Sequence, residues 1–440
     1  MVLVALLGAI LFIIFSTVRF KIHPVFSLTL AAIGAGFLLG MSATDILKTM
    51  GEGLGKTLSN IALVIAFGSV IGIYLEKTGA TQLLANTILK LVGNKKSPLA
   101  LNLAGFVISI PVFCDSGFII LSPLNKALSK KSGISILVFA IALSTGLYAA
   151  HVFVPPTPGP LAAAAIMEAD LGLVLILGVL VALPVSLIGF LWANFIGKSL
   201  KEDQTTAWVN HEVSGDHTKI RPLFAFLPLV VPIALIALKS IVNHPNEPFG
   251  DGIFFGILDF LGNPVVALLL GVFCAFGLGR KIPSNAKKNW VPEALKQAGS
   301  IVLITGAGGA FGAVLRTVDI TEAFHISSTS VYGGLIIVFA IAATLKTAQG
   351  SSTVAIITTS AIAAPLLSSF DLVSSMDKAL SVLAIGAGAM TVSHINDSYF
   401  WVVSQFSGMP IKEALKGHTL ATLFQGVVAM LLILLLSVLL

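Results

Sequence analysis

Charge is what this chain has least of. Of its 440 residues only 10% are charged and 56% are hydrophobic, against about 25% charged in an ordinary globular chain. So little charge excludes a soluble domain and any long hydrophilic head of the receptor, kinase or nucleotidase kind. Cysteine is nearly missing as well: Cys114 and Cys274 cannot build a disulfide framework or a metal site between them, and Cys114 is expected as a small buried hydrophobe. The tight His/Cys/Glu spacing of zinc sites is absent, so neither metal nor cofactor is expected. The alternating pattern of a β-barrel is absent too. What remains is apolar: Val2 to Thr17, Ile176 to Ile196, Leu223 to Leu238 and Leu420 to Leu440 approach or reach the roughly 20 residues a spanning helix needs. The expected fold class is an all-α polytopic membrane protein, with the first run as its first span and not a cleaved signal.

The net charge of +6 is a topology signal and does not point to nucleic acid. Basic residues cluster in short loops, which places those loops on the cytoplasmic side: Arg19/Lys21, Lys90/Lys95/Lys96, Lys126/Lys130/Lys131, Lys198/Lys201 and Arg280/Lys281/Lys287/Lys288. The intervening loops carry acids, Glu247, Asp251 and Asp259 in one, Asp319 and Glu322 in another. Both termini are then outside and the polar stretch from Lys198 to Arg221 is cytoplasmic. Lys56 and Arg316 depart from the scheme. Glu76 beside Lys77 reads as an interfacial pair.

An internal repeat sits on this pattern. Ile61 to Leu75 resembles Ile301 to Leu315: at one constant shift Ile61, Leu63, Gly68, Gly72, Leu75 and Thr81 fall on Ile301, Leu303, Gly308, Gly312, Leu315 and Thr321. Glycines at this spacing also serve plain helix packing in lipid. The order of later features argues for a true repeat, because each copy is followed by a polar-centred apolar segment and then a helix running into a histidine. The first copy runs toward the Lys90–Lys96 cluster and the second away from Arg280–Lys288. The same element therefore crosses in opposite directions, the inverted repeat of many secondary transporters. The expected division is a first repeat over 1–200, a connector over 201–221 and a second repeat over 222–440.

Four polar interruptions break the apolar runs. Asp115 in Phe113-Cys-Asp-Ser-Gly117 has no basic neighbour in sequence, and a carboxylate at the bilayer centre costs about 2.5–3.5 kcal/mol. It reads as a proton carrier, or as the cap of a re-entrant helix. Gln349-Gly350-Ser351-Ser352-Thr353 supplies free N–H groups and hydroxyls at a helix start, which suits a carboxylate, with ordinary packing as the bland alternative. His151 opens the stretch Val-Phe-Val-Pro-Pro-Thr-Pro-Gly-Pro160, whose prolines forbid a continuous helix. His394 opens Ile-Asn396-Asp397-Ser398, a cluster able to bind a polyhydroxylated acid or relay a proton. Irregular backbone and charge survive in a bilayer only where protein or a water-filled cavity satisfies them. Lys346 reads as snorkelling to an interface, or as attracting an anionic substrate. Gly306 to Ala310 is not a nucleotide loop, since no strand precedes it, which speaks against an ATP-driven pump. A channel would need a continuous polar lining, and an intramembrane enzyme built on His394, Asp397 and Ser351 lacks a nucleophile motif.

Taken together, Phe113-Cys-Asp-Ser-Gly-Phe118, His151 to Pro160, Thr347 to Thr353 and His394 to Ser398 resemble the motifs of the gluconate permease family, in order and over essentially the whole chain. That family lies within the ion transporter superfamily. The resemblance implies two inverted repeats, each with a re-entrant hairpin and an unwound helix, in a homodimer of the bacterial inner membrane that works by an elevator-like movement. It implies symport of protons with gluconate or a related small anionic sugar acid and no enzymatic activity. A D-serine permease of the same family and a sodium-coupled carboxylate carrier are the alternatives. Substrate contacts are then expected at Ser116, Gly117, Thr157, Gly159, Gln349, Gly350, Ser351, Ser352, Thr353, Asn396 and Ser398, and proton coupling at Asp115, His151, His394 and Asp397.

Overall fold

The computed structural model describes residues 2–92, 96–197, 221–242, 252–317, 330–395 and 397–439, and among these every regular element is a helix. In chain order they are α1 (Val2–Val18), α2 (Pro24–Leu38), α3 (Ala43–Lys77), α4 (Ala80–Val92), α5 (Ser97–Ile108), α6 (Cys114–Ser132), α7 (Ile136–Phe153), α8 (Pro158–Ile166), α9 (Leu171–Ile196), α10 (Pro222–Val242), α11 (Ile253–Leu261), α12 (Pro264–Leu278), α13 (Ser284–Lys287) and α14 (Trp290–Leu315). There follow α15 (Val331–Gln349), α16 (Ser352–Ala363), α17 (Ser375–Met390), α18 (Ser398–Phe406), α19 (Ile411–Ala414) and α20 (Leu420–Leu439). Seven helical segments among the described residues are long and apolar enough to cross a membrane, and the bent α3 would make an eighth.

Local chemistry explains where these helices start. Proline opens α2, α5, α8 and α12 within the first two positions, where its missing N–H costs nothing. Side-chain oxygens of Ser42, Asp170, Asn263, Ser330 and Ser351 accept from the first-turn amides of α3, α9, α12, α15 and α16. Ser374 and Asp377 cap α17 reciprocally.

Two packing groups result. In the first, α3 crosses α14 at close range: a Cβ on Gly309 would lie 2.1 Å from Thr57 Oγ1, so only glycine lets the backbones meet there. Onto this crossing pack α2 against α14 and α12 against α3, with α1 on α2 and α10 on α12. In the second group α5, α6 and α9 surround α7, while α15, α16 and α20 surround α17; α8 lies on α16 and α18 on α6. Several pairings recur between the halves: α5, α6 and α9 on α7 match α15, α16 and α20 on α17, and α1 on α2 matches α10 on α12.

All 18 residues of α7 are buried, and the stretch Ile136–Ile166 is enclosed by protein. The backbone between α7 and α8, with its cis Pro155–Pro156 bond, is thereby shielded from lipid as unwound backbone must be. Outward faces carry exposed Phe15, Phe26, Leu180, Phe195, Phe273 and Leu431, the surface a lipid environment solvates. Buried amides tie the second group together: Asn102 Nδ2 on α5 donates to Ala142 O (2.8 Å) and Ser186 O (3.1 Å), and Gln425 Nε2 on α20 donates to Thr145 O and Val185 O, each at 3.1 Å.

Several charge expectations are corrected or fall out of view. Lys77 forms its ion pair across helices with Glu293 at 3.4 Å, while its charge also acts on the neighbouring Glu76. Lys56 and Arg316 share one acid, Glu168, at 2.7 and 3.4 Å. Lys95, Lys198, Lys201, Glu247, Asp251, Asp319, Glu322 and nearly all of the connector lie outside the described residues.

Candidate transport site

Two helix-turn-helix tips and two helix breaks carry the polar motifs. At the first tip, α5 ends at Ile108 and α6 begins at Cys114; Ser109 Oγ donates to Val112 O at 3.1 Å across the turn. Phe113 is the N-cap of α6 and makes no side-chain cap bond. Asp115 therefore sits in the first turn, where the helix dipole favours its negative charge, and the capping role expected as an alternative falls to no side chain. Gly117 lies against α7, where a Cβ would come within 2.7 Å of Leu147 Cδ2. At the second tip, Gly350 takes φ +75°, a left-handed conformation open to glycine without steric cost. Ser351 then caps α16, accepting from Val354 N at 3.4 Å.

The tips reach α7 and the break that follows it. Thr353 Oγ1 lies 3.4 Å from His151 Nε2, Ser352 is a hydrogen-bonding neighbour of Tyr148, and the Phe113 and His151 rings are 6.0 Å apart. Thr157 Oγ1 donates to Val154 O at 2.6 Å, and a Cβ on Gly159 would come within 2.9 Å of Ile356 on α16. In the second break Val392 adopts φ +53°, an outlier for a β-branched residue that costs about 1–3 kcal/mol. It turns the chain so that Ser393 and Asp397 point into the protein.

The charge centre lies there. Lys346 Nζ on α15 pairs with Asp397 Oδ2, and the two residues are 1% and 3% exposed. This corrects the snorkelling expectation, because Lys346 reaches no interface. Ser393 Oγ donates to the same carboxylate oxygen, and Asp397 Oδ1 accepts from Tyr399 N at 3.1 Å to cap α18. His418, buried in a π-helical turn, bridges Ser393 Oγ (3.1 Å from Nε2) and Ser144 Oγ (3.2 Å from Nδ1). Tyr399 OH donates to Ser144 O at 2.9 Å, and Lys346 Nζ stands 6.0 Å from the Tyr148 ring centre. Asp115 lies within electrostatic reach of both Asp397 and Lys346. A buried ion pair holds only when its remaining donors and acceptors are satisfied, and Ser393 Oγ and Tyr399 N do this for Asp397.

Not every expected residue joins this centre. Gln349 and Ser351 line a separate cavity of about 250 Å³ with Lys21 and His23. Thr157 and His151 face a void of about 10 Å³ with Pro111 and Ser69. His394 Nε2 meets Thr347 O at 2.9 Å and not Asp397, Ser398 is exposed and Asn396 lies outside the described residues. Ser144, Tyr148, Ser393, Tyr399 and His418 were not singled out by the sequence. Among the described residues no three His, Cys, Asp or Glu side chains gather closely enough to hold a metal ion.

Comparison with known proteins gives this arrangement its context. A family model described as GntP family permease matches residues 1–439. A gluconate permease of Pseudomonas aeruginosa is 32% identical, over 100% of this chain and 97% of its own. The D-serine transporter DsdX of Escherichia coli K12 is 31% identical, over 97% and 96%. Among solved structures, the Alcanivorax borkumensis YdaH transporter superposes with a TM-score of 0.65 at 13% identity, over 94% of this chain and 98% of its own. Neisseria gonorrhoeae MtrF does so at 0.62 and 14%, over 89% and 83%. At such identities these two structures speak to the fold alone.

Proposed function

The chain belongs to the GntP family of permeases, a multi-pass inner-membrane transporter and not an enzyme, and on that premise we propose that it couples inward proton movement to uptake of gluconate or a related hydroxycarboxylate. The observation that carries this reading is the charge set: one buried ammonium, Lys346, paired with one buried carboxylate, Asp397, and a second, half-buried carboxylate, Asp115, within electrostatic reach. Removing an ion from water costs several kcal/mol even after relaxation. A substrate anion entering this set adds a third negative charge to one positive, so a cation must enter with it. The carboxylates at hand make a proton that cation.

The proposed mechanism takes the two halves of the chain, 1–200 and 222–440, as inverted repeats, each contributing helices to both packing groups. The recurrence of pairings between halves supports this, as does the exchange of tips: α8 of the first half lies on α16 of the second, and α18 on α6. In this reading α5–α6 and α15–α16 are re-entrant hairpins. The α7–α17 group carries solute past the α3–α14 crossing in an elevator-like movement, within a homodimer. The cavity beside Gln349, Ser351 and Lys21 is the route to the cytoplasmic face.

A gluconate permease and a D-serine transporter resemble the chain about equally, so identity does not choose between their solutes. D-serine offers an ammonium that Asp115 suits. Sealed vesicles given a proton gradient and a sodium gradient separately, with a panel of gluconate, other aldonates and D-serine, decide solute and coupling. The expected result is accumulation of labelled gluconate on the proton gradient alone. Uptake that requires sodium and ignores pH overturns the proton reading.

A further inference from the structure

Lys346 spends its charge on a residue of its own protein. Its amine pairs with Asp397 in a site closed to solvent on both sides of the pair, 1% and 3% exposed. The two partners belong to different elements of the fold: Lys346 lies one turn before the Gly350 tip, and Asp397 ends the break after α17. Ser393 holds the Asp397 oxygen that faces Lys346, and His418 holds Ser393. The second Asp397 oxygen caps α18 through Tyr399 N. The carboxylate is thus fixed on its own side, while Lys346 approaches from the tip.

Building on the symport reading, we propose that Asp397 is a resident stand-in for the substrate's carboxylate. The incoming carboxylate takes the Lys346 ammonium, and Asp397 gives it up by accepting one proton from solution. The exchange balances in charge and atoms. Before it, one ammonium faces one carboxylate; after it, the same ammonium faces the substrate carboxylate, and Asp397 is a neutral acid whose new O–H replaces the lost ion pair. Solute release reverses the step and returns the proton. A buried pair broken without such replacement leaves an uncompensated charge, which is why anion and proton must bind together. Ser393 and His418 are positioning residues in this scheme.

Other titratable groups face Asp397 from each element around it. Asp115 and Cys114 come from α6, Tyr148 and His151 from α7, Tyr399 from α18 and His418 from the turn before α20. Asp115 is the rival proton acceptor, so the test separates the two.

Purified protein in detergent and weak buffer is mixed with gluconate, or with D-serine if the vesicle panel selects it, and proton uptake is read with a pH indicator. The proposal expects about one proton taken up per solute bound in the unmodified protein and in Asp115→Asn, and none in Asp397→Asn, whose binding becomes independent of pH. Lys346→Gln leaves Asp397 buried without its partner, so it is paired with Lys346→Gln/Asp397→Asn, which restores neutrality. The double variant is expected to fold and to bind gluconate on the order of 10- to 100-fold more weakly, as loss of a charge-assisted contact implies. Its preference for gluconate over uncharged glucitol should vanish. Proton uptake that survives Asp397→Asn and disappears in Asp115→Asn overturns the stand-in role and leaves proton symport intact. No proton uptake in the unmodified protein, with binding that requires sodium, removes both. A double variant that retains the preference for gluconate over glucitol shows that the carboxylate binds elsewhere.

Discussion

Lys56 and Arg316 are the two bases that depart from the charge pattern of the loops, and Glu168 answers for both. Lys56 Nζ lies 2.7 Å and Arg316 Nη1 3.4 Å from its Oε1, and Arg316 Nη2 also donates to Ile166 O at 3.2 Å. The Lys56 ammonium first, and the Arg316 guanidinium after it, hold the Glu168 carboxyl below its ordinary value of 4.5. A folded-state value below the unfolded one contributes stability above the unfolded value, which is lost as pH falls through the folded one. All three side chains are well exposed, so solvent leaves each pair about 0.2–1 kcal/mol. Glu168→Gln is therefore expected to lower the melting temperature slightly at pH 7, with the difference from the unmodified protein closing below pH 4.5. A difference that stays constant into strong acid would point to packing and not charge. At this scale the sequence showed which residues were unusual but not what they meet. Asp115 and His151 stand out in apolar runs, whereas Lys346 finds its partner 51 positions away, and no motif marks His418.

Tips and breaks were legible because clusters of proline, glycine and hydroxyl residues interrupt the apolar runs at them, whereas single prolines such as Pro123, Pro184 and Pro228 sit inside helices. The prolines of 155–160 do two jobs that the sequence did not separate. Pro155 and Pro156 occupy the break, and Pro158 and Pro160 lie in the first turn of α8. The glycines of the repeated segment also differ in what they do. A Cβ on Gly72 would stand 2.6 Å from Pro111 O, a backbone atom at the first tip, and Gly68 faces Pro156 O at 3.4 Å. Gly308 lies against Ala361 on α16 at 3.1 Å, while Gly312 has nothing within 4 Å. Sequence similarity placed Gly72 and Gly312 as equivalents, but only one supports a tip. Gly72→Ala is expected to cost about 1–3 kcal/mol by overpacking and to impair transport by shifting Pro111, whereas Gly312→Ala should leave both unchanged. Thermal unfolding and vesicle uptake of the two variants side by side decide this, and equal behaviour would dissolve the distinction.

For the molecule as a whole, the packing groups say which helices keep company, and the proposed direction of each crossing rests on charge. The last turn of α6 carries Lys130 and Lys131, whereas the segment from α16 into the first turn of α17 carries the acids Asp371 and Asp377 with one base, Lys378. Positive loops stay inside, so equivalent ends of the two hairpins should lie on opposite faces of the membrane. The connector and the acids Asp319 and Glu322 lie outside the described residues, so the test belongs at the hairpins themselves. Ser132 and Ser375 are both exposed at those ends. With Cys114 and Cys274 replaced by serine, Ser132→Cys is expected to react with an impermeant thiol reagent only from the cytoplasmic face and Ser375→Cys only from outside. Labelling of both from one face would make the repeats parallel. Tips entering from the same side would have no two-fold axis in the membrane plane to bring them together, and the meeting of Lys346 with Asp397 would need another explanation. Opposite labelling would make that ion pair a contact between a hairpin entered from outside and a break near the midplane, where a solute released to either side must pass.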